Sequence, residues 1–336
     1  MTIRFIAALL LTIAMPAAAR EPIIDMHMHA LTADDQGPPP LAMCTPIDPM
    51  PIWDPAKPYL DTFLDLFKHP RCADPIWSPT DDAAVMTRSI AMMEKYNIIG
   101  VVSGRYKLVS AWHKAAPDRV LFSLMPSDNQ LGDLTGMIKD FGGAKAAGQL
   151  TAIGELGYQY AGIGVDDAKL DKVWAMAEAL DVPVAIHMGP GPPGAAYLPG
   201  MGYQARLSSP LLLEPVLARH PKLRVNIMHA GFPMLDDTLA LLYAHPQVHV
   251  DIGVIAYTQP RPAFYRYLQA LVDAGFGPRT MFGSDQMVWP ETIERAIQAV
   301  EQAPFLTPAQ KRDIFYNNAA RFLRLDAATQ AKHKAM

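Results

Sequence analysis

The stretch Ile23-Ile24-Asp25-Met26-His27-Met28-His29 decides the fold. It is an apolar run of strand length that ends in two histidines two positions apart. Because side chains alternate across a β-strand, His27 and His29 lie on one face and could hold the same ion. A lone His-x-His pair is a weak signal. The rest of the chain has to show whether this run is the first strand of a larger array.

Seven further apolar runs of strand length follow, and segments with helical periodicity separate them. This alternation is typical of repeated βα units and a parallel sheet, and it predicts a single α/β domain over residues 20–326 with the fold of a (β/α)8 TIM barrel. A doubly wound open sheet is the alternative. The predicted strands are Ile23 to His29, Ile98 to Ser103, Val120 to Met125, Ala152 to Leu156, Val184 to Met188, Arg224 to His229, Val248 to Gly253 and Thr280 to Ser284. Clear helical segments include Asp82 to Tyr96, Ala168 to Asp181, Pro210 to His220 and Pro262 to Ala274.

Three segments depart from the repeat. Residues 31–80, rich in Pro and Asp, form a long insertion after strand one that we expect to cap the barrel mouth. Residues 307–325 predict a C-terminal helix with Thr307-Pro308 at its start. Residues 327–336 are expected to be a frayed tail. The two cysteines, Cys44 and Cys72, both lie in the insertion, where they form either a disulfide or two buried thiols.

The first nineteen residues predict a secretory signal peptide. Arg4 supplies a positive start, residues 5–15 are mostly apolar, and Ala17-Ala18-Ala19 fits a small-residue cleavage site after Ala19. The apolar stretch is too short to cross about 30 Å of hydrocarbon as a helix, so no stable membrane anchor is expected after cleavage. The predicted location is secreted or periplasmic.

The bulk composition narrows the partners. Half of the 336 residues are hydrophobic and 18% are charged, which is ordinary for a folded domain with a large core. The net charge is -4 and no basic run stands out, so nucleic acid is not an expected partner. A small-molecule substrate is expected, and a homo-oligomer is compatible with the sequence.

Metal-ligating residue types recur at the ends of other predicted strands. Strand four ends near Glu155, strand five at His187, strand six at His229, and Asp285 follows strand eight. The carboxyl ends of barrel strands meet on one face, where barrel enzymes carry their chemistry. Imidazole and carboxylate suit zinc, manganese and iron. The sequence therefore predicts a site for a divalent metal.

With these residues, the chain resembles the amidohydrolase superfamily, specifically its amidohydrolase-2 branch. The resemblance implies that His27, His29, His187 and Asp285 bind metal and that Asp285 also shuttles a proton. It implies that His229 binds a second ion or polarises the substrate, so His229 and Asp285 are the candidate catalytic residues. Zinc is the expected metal, with manganese or iron as alternatives.

Glu155 decides between one ion and two. The run Ile153-Gly154-Glu155-Leu156-Gly157 resembles the strand-four end of TatD-type deoxyribonucleases, whose Glu joins two metals. The alternative is that Glu155 only orients a ligand imidazole by hydrogen bond.

Residues just beyond the strands predict the substrate pocket. Arg105, past strand two, could hold a substrate carboxylate or instead pair with a loop acid. Tyr158, Trp289 and the segment from Gly189 to Gly202 are expected to wall the pocket. The other six histidines fall at helix ends, in loops or near the start of strand seven, and are expected to be structural.

Three functions fit the pattern. The first is an exported metal-dependent hydrolase that attacks an amide, ester or lactone carbonyl with metal-activated water. The second is a metal-dependent decarboxylase, a carbon-carbon lyase, acting on an unsaturated or aromatic acid, since the same branch contains such enzymes. The third is a non-catalytic binding protein, which would need a degraded ligand set, whereas the set in this sequence is complete.

Overall fold

The structure, a computed structural model, describes residues 20–126 and 134–336. The predicted signal peptide lies outside the described residues. Among the described residues the strands are β1 (Ile23–Ala30), β2 (Ala42–Met43), β3 (Ile76–Trp77), β4 (Ile98–Gly104), β5 (Val120–Leu124), β6 (Ala152–Leu156), β7 (Val184–His187), β8 (Val225–Met228), β9 (Val248–Asp251) and β10 (Thr280–Met281).

Eight of these strands form one parallel sheet in the order β1-β4-β5-β6-β7-β8-β9-β10. The sheet curls so that its first and last strands approach. Met26 donates its N–H to the carbonyl of Phe282 at 2.9 Å, and Asp285 donates to the carbonyl of His27 at 2.6 Å. The predicted (β/α)8 barrel is therefore confirmed, and the open doubly wound sheet is wrong.

Helices separate the barrel strands and cover them. They are α1 (Tyr59–Lys68), α2 (Asp82–Tyr96), α3 (Tyr106–Ala115), α4 (Leu134–Ala146), α5 (Asp171–Ala179), α6 (Glu214–Arg219), α7 (Leu235–Ala244), α8 (Ile255–Thr258), α9 (Arg261–Asp273), α10 (Thr292–Glu301), α11 (Pro308–Arg312), α12 (Asn318–Phe322) and α13 (Ala327–Lys334). Local signals set their ends. Asp81 caps α2 by accepting from the N–H of Ala84, and Thr307 and Gln310 form a capping box at the start of α11.

The barrel strands are deeply buried, and every residue of β4, β7 and β8 is buried. All eight residues of β1 are buried, as expected for a parallel strand covered on both faces. Strands this deeply buried hold the groups at their carboxyl ends in fixed positions. The barrel thereby supplies a rigid base for the site.

The insertion after β1 has more regular structure than its sequence suggested. It contains α1 and the antiparallel pair of β2 and β3, and Cys44 and Cys72 form a disulfide. The hydroxyl of Tyr59 donates to the carbonyl of Pro193 at 2.5 Å, and the Trp53 ring lies 4.7 Å from that of Tyr197. These contacts fasten the insertion to the loop after β7.

The C-terminal segment differs from the expected frayed tail. Residues Ala327–Lys334 form α13, which begins where Asp326 accepts from the N–H of Thr329. His333 is buried and its Nδ1 lies 3.1 Å from the hydroxyl of Tyr316. The expectation was wrong because three alanines with high helix propensity, one N-terminal cap and one buried histidine order the segment.

No helix in the described part of the chain is long and apolar enough to cross a membrane.

Candidate metal centre

The structure brings the six predicted metal-site residues together at the carboxyl ends of the barrel strands. His27 and His29 come from β1, Glu155 from β6 and His187 from β7, whereas His229 and Asp285 follow β8 and β10. Their ligand atoms form three overlapping groups, each with its members within 4.8 Å of one another. The groups are His27, His229 and Asp285; His27, His29 and Glu155; and Glu155, His187 and His229.

Glu155 lies between two pairs of histidines. Its Oε2 is 3.6 Å from Nε2 of His27 and 3.2 Å from Nε2 of His29. Its Oε1 contacts Nδ1 of His187 and lies 3.4 Å from Nε2 of His229. One carboxylate therefore faces two separate imidazole pairs, one with each oxygen.

Asp285 lies close to three of the four histidines. Its Oδ1 lies 3.1 Å from Nε2 of His29 and 3.6 Å from Nε2 of His27, while its Oδ2 is 3.9 Å from Nδ1 of His229. Asp285 has φ of 52° and His229 has φ of 60°. Non-glycine residues rarely adopt this left-handed conformation, which costs on the order of 1–3 kcal/mol and concentrates at functional sites.

Asp251, at the end of β9, is a functional candidate that the sequence analysis missed. It is fully buried, and its Oδ1 accepts from Nδ1 of His27 at 3.1 Å. The same carboxylate accepts from the side chain of Asn226 at 2.7 Å and from the N–H of Gly253 at 2.8 Å. A carboxylate on Nδ1 keeps the proton there and turns Nε2 of His27 toward the cluster. Its position at the end of an apolar strand, Val248-His249-Val250-Asp251, was the available signal.

Two other histidines have similar partners. Nδ1 of His229 lies 3.0 Å from the carbonyl of Gly253. Since a carbonyl only accepts, this Nδ1 carries the proton and Nε2 faces Glu155 and His187. His187 contacts the cluster through Nδ1, and its Nε2 lies 3.1 Å from the hydroxyl of Tyr160. Tyr160 was also missed from the sequence.

Close backbone approach holds these rings in place. A Cβ on Gly189 would lie 2.5 Å from the Cβ of His229, and one on Gly253 would lie 2.5 Å from Nδ1 of His27. Both positions require glycine for this reason. Gln286 fixes His29 by accepting from its N–H at 3.1 Å and donating to its carbonyl at 2.6 Å.

The electrostatics of the cluster favour a cation. Burial alone would raise the pKa of Glu155, but the positive charge and hydrogen bonds of its histidine neighbours hold that pKa well below its usual range. Burial opposes a charge on His29, yet hydrogen bonds to Asp285 and Glu155 raise its pKa to about 9. Burial likewise opposes a charge on His27. The attraction of Asp285 and Asp251 nevertheless raises the pKa of His27 well above normal. The carboxylates of Glu155, Asp285 and Asp251 therefore favour positive charge at the cluster, which a bound metal ion would supply.

The donor set fits a divalent metal on a second ground. Nε2 of His27 is buried and has no hydrogen-bond partner among the described residues, and it lies 3.6 Å from Oδ1 of Asp285. Unsatisfied buried polar atoms are costly and need an explanation. An ion bound between these two atoms would give Nε2 a partner, and imidazole with carboxylate is a set that zinc, manganese and iron accept.

A cavity of about 730 Å³ opens above the cluster. Arg105 lines it, as does Trp289, and so do Pro190, Leu198 and Met201 from the predicted wall segment. Tyr158 does not line the cavity, because it is buried against Trp174. Tyr160 of the same turn lines the cavity instead. The remaining six histidines lie outside the cluster.

Comparison with known families then identifies the chain. The model of the Amidohydrolase family matches residues 24–325. The chain belongs to the Amidohydrolase family. Amidohydrolase members typically use a divalent metal, and the cluster of histidine, glutamate and aspartate side chains could bind one. No curated protein matches the chain.

Solved structures share the fold at low sequence identity. An uncharacterised TIM-barrel protein from Bordetella bronchiseptica is 16% identical, with 92% of this chain and 99% of that chain covered and a TM-score of 0.62. A probable 2-pyrone-4,6-dicarboxylic acid hydrolase from Acinetobacter baumannii is also 16% identical, with 90% and 99% covered and a TM-score of 0.55. The 5-carboxyvanillate decarboxylase of Sphingomonas paucimobilis is 12% identical, with 91% and 99% covered and a TM-score of 0.56. This amidohydrolase therefore shares its architecture with both hydrolases and decarboxylases.

Proposed function

We propose that this protein is an exported hydrolase that uses a two-ion metal site, with zinc as the first choice, to attack an amide, ester or lactone carbonyl. The observation that carries the proposal is the position of Glu155, whose two oxygens face His27 and His29 on one side and His187 and His229 on the other. A carboxylate in this position can be shared by two ions about 3.5–4 Å apart.

The residues divide into two ligand sets. His27, His29 and Asp285 would hold one ion, His187 and His229 the other, and Glu155 both. The hydrogen bond from His229 to the carbonyl of Gly253 supports its role as a ligand, because it leaves Nε2 unprotonated toward the cluster. When bound, such ions supply Lewis acidity, which lowers the pKa of water toward neutrality and polarises a carbonyl oxygen.

Asp285 is proposed as the proton carrier. Burial alone would raise the pKa of Asp285, but the positive charge of His27 and the hydrogen bond with His29 hold it below its usual range, so the carboxylate is ionised at neutral pH. Its Oδ atoms can take the proton of the attacking water and return it to the leaving group. His229, 3.9 Å from Asp285 Oδ2, is the second candidate for that transfer. Arg105 lines the cavity and is proposed to hold an anionic part of the substrate.

A decarboxylase is the second candidate, supported by the shared architecture with 5-carboxyvanillate decarboxylase. Two assays on the same preparation separate the functions. We expect hydrolysis across a panel of esters and lactones, and no carbon dioxide release from a panel of aromatic carboxylic acids. Release of carbon dioxide without hydrolysis would replace the proposed reaction with the lyase.

Export is proposed from the predicted signal peptide and supported by the disulfide between Cys44 and Cys72, since such bonds persist in oxidising compartments. Expression of the full chain with a secretion system should yield a mature protein that begins at Arg20. Intact-mass measurement checks this, and an uncleaved, reduced protein in the cytoplasm would contradict it.

A further inference from the structure

The cavity above the candidate metal site has a largely apolar wall. Five methionines line it together with large aliphatic and aromatic side chains. The methionines are Met43, Met50, Met125, Met201 and Met287. Methionine side chains are flexible and polarisable, so they adapt to apolar ligands of different shape.

The charge of the cavity limits the charge of its ligand. Arg105 is the only lysine or arginine among the described residues of the wall, and the undescribed residues 127–133 contain neither. Asp35 also lines the cavity, close enough for Arg105 to act on it: partial burial raises the pKa of Asp35, and the charges of His29 and Arg105 oppose that rise. Glu155 and Asp285 belong to the proposed ion-binding cluster. Away from that cluster, Arg105 is the one cationic side chain of the described wall that can pair with a substrate carboxylate, and Asp35 lies close to it.

The apolar wall continues outward to solvent. Met50 and Met201 line the cavity, yet they are 47% and 38% exposed. Ile52 is 94% exposed two residues beyond Met50, and Tyr197 is 61% exposed on the loop that carries Met201. Exposed apolar residues that adjoin a binding cavity mark a surface with a ligand to cover it.

We propose that the substrate is an amphiphile: a carbonyl compound with at most one negative charge, whose long hydrophobic chain runs from the metal cluster past Met201 and Met50 toward the rim. This inference rests on the proposed function, because it assigns the substrate class of the same site. It separates this protein from an enzyme for small dicarboxylic acids, which would need a second cationic group in the wall.

Calorimetric titration of the purified holoprotein with straight-chain alkanoates tests whether the hydrocarbon chain of the ligand binds in the cavity. From butanoate to decanoate, affinity should rise by about fourfold per methylene while the chain stays in the cavity, since each buried methylene contributes about 0.8 kcal/mol. Octanedioate, with a second carboxylate at the apolar end, should bind at least tenfold more weakly than octanoate. Equal affinity across the alkanoates, or tighter binding of octanedioate, would overturn the proposal.

Matched variants test where the hydrocarbon chain of the ligand lies. Met201→Glu and Met50→Glu should each weaken octanoate binding by about tenfold, the scale of one lost apolar contact. Tyr243→Glu is the control, since Tyr243 is 87% exposed on α7 and does not line the cavity. Unchanged octanoate affinity in both methionine variants would overturn the path, as would a dimer that dissociates in those variants and shows the rim to be a subunit interface.

The 4-nitrophenyl esters of the same acids separate this inference from the proposed function. If alkanoates follow the chain-length trend and no ester or lactone is hydrolysed, the substrate class stands and the hydrolase fails. If esters are hydrolysed with equal kcat/KM at every chain length, the hydrolase stands and the amphiphile is wrong.

Discussion

Three of the four histidines in the cluster have a partner on one ring nitrogen, and that partner orients the other ring nitrogen toward the site. Asp251 does this for His27, the carbonyl of Gly253 for His229 and Tyr160 for His187. None of the three partners belongs to the predicted ligand set. The carboxylate of Asp251 and the carbonyl of Gly253 only accept, so they keep the proton on Nδ1 of His27 and of His229 and leave each Nε2 free for an ion.

Asp251→Asn should weaken metal binding by about 10- to 100-fold, the usual cost of losing such a partner. The amide keeps the shape of the side chain but removes the charge that favours the proton on Nδ1 of His27. Competition with a chelator measures the affinity, and Asp273→Asn on α9 is a control away from the cluster. Equal affinity in the two variants would show that Asp251 has no part in metal binding.

Asp285→Asn should keep much of the metal yet lose activity by about 10² or more, because the amide can coordinate but cannot carry a proton. Metal content and kcat are measured on the same sample. Near-normal kcat in the metal-loaded variant would assign the proton transfer to another group, with His229 the nearest candidate.

At the scale of elements, the insertion contributes to the pocket because it is tied down. Its disulfide closes a loop with a sequence separation of 28. The double variant Cys44→Ala/Cys72→Ala should lower the free energy of unfolding by about 3 kcal/mol through the added freedom of the unfolded chain. Denaturant titration measures this. A reducing agent should lower the stability of the wild type and leave that of the variant unchanged. Equal stability of the two proteins without a reducing agent would contradict the prediction.

His249 on β9 gives a pH dependence with a defined sign. Burial lowers its pKa to about 4, and the positive charge of Arg279 adds to this. Between the unfolded value near 6.5 and the folded value, the unfolded chain binds a proton that the folded protein does not. The contribution of His249 to the free energy of unfolding is therefore fully present above pH 6.5 and is lost as the pH falls toward 4.

His249→Phe removes that proton uptake and keeps a ring against Phe322, which lies 4.7 Å away. The free energy of unfolding should fall less between pH 6.5 and 4 in the variant than in the wild type, by at most about 3 kcal/mol. Denaturant titrations at several pH values give both curves. Parallel curves would show that His249 titrates equally in the two states.

At the scale of the whole molecule, the sequence predicted the barrel because each strand is a buried apolar run with its own turn signals. The β6 bounds Ala152–Leu156 and the α2 bounds Asp82–Tyr96 agree with the prediction residue for residue. The clustering of the six predicted metal-site residues was predictable because strand ends share one face of a barrel.

The parts that could not be predicted depend on long-range contacts. Helix α1 lies among Pro-rich segments, and α13 depends on one buried histidine against Tyr316. Tyr160 faces the cavity while Tyr158 is buried, which depends on the 3-10 turn after β6 and not on residue type. The partner role of Asp251 required knowing that β9 lies two strands from β1 in the closed barrel, with β10 between them.

The most direct test of the two-ion site is titration of metal-free protein with zinc, followed by activity and by bound metal. The wild type should saturate at two equivalents. Glu155→Gln should keep no more than one ion at the same free zinc concentration, because the neutral amide cannot serve both histidine pairs. Glu301→Gln, an exposed carboxylate that pairs with Arg20, should match the wild type. Saturation of the wild type at one equivalent, with Glu155→Gln retaining that ion, would contradict the shared carboxylate and favour the decarboxylase.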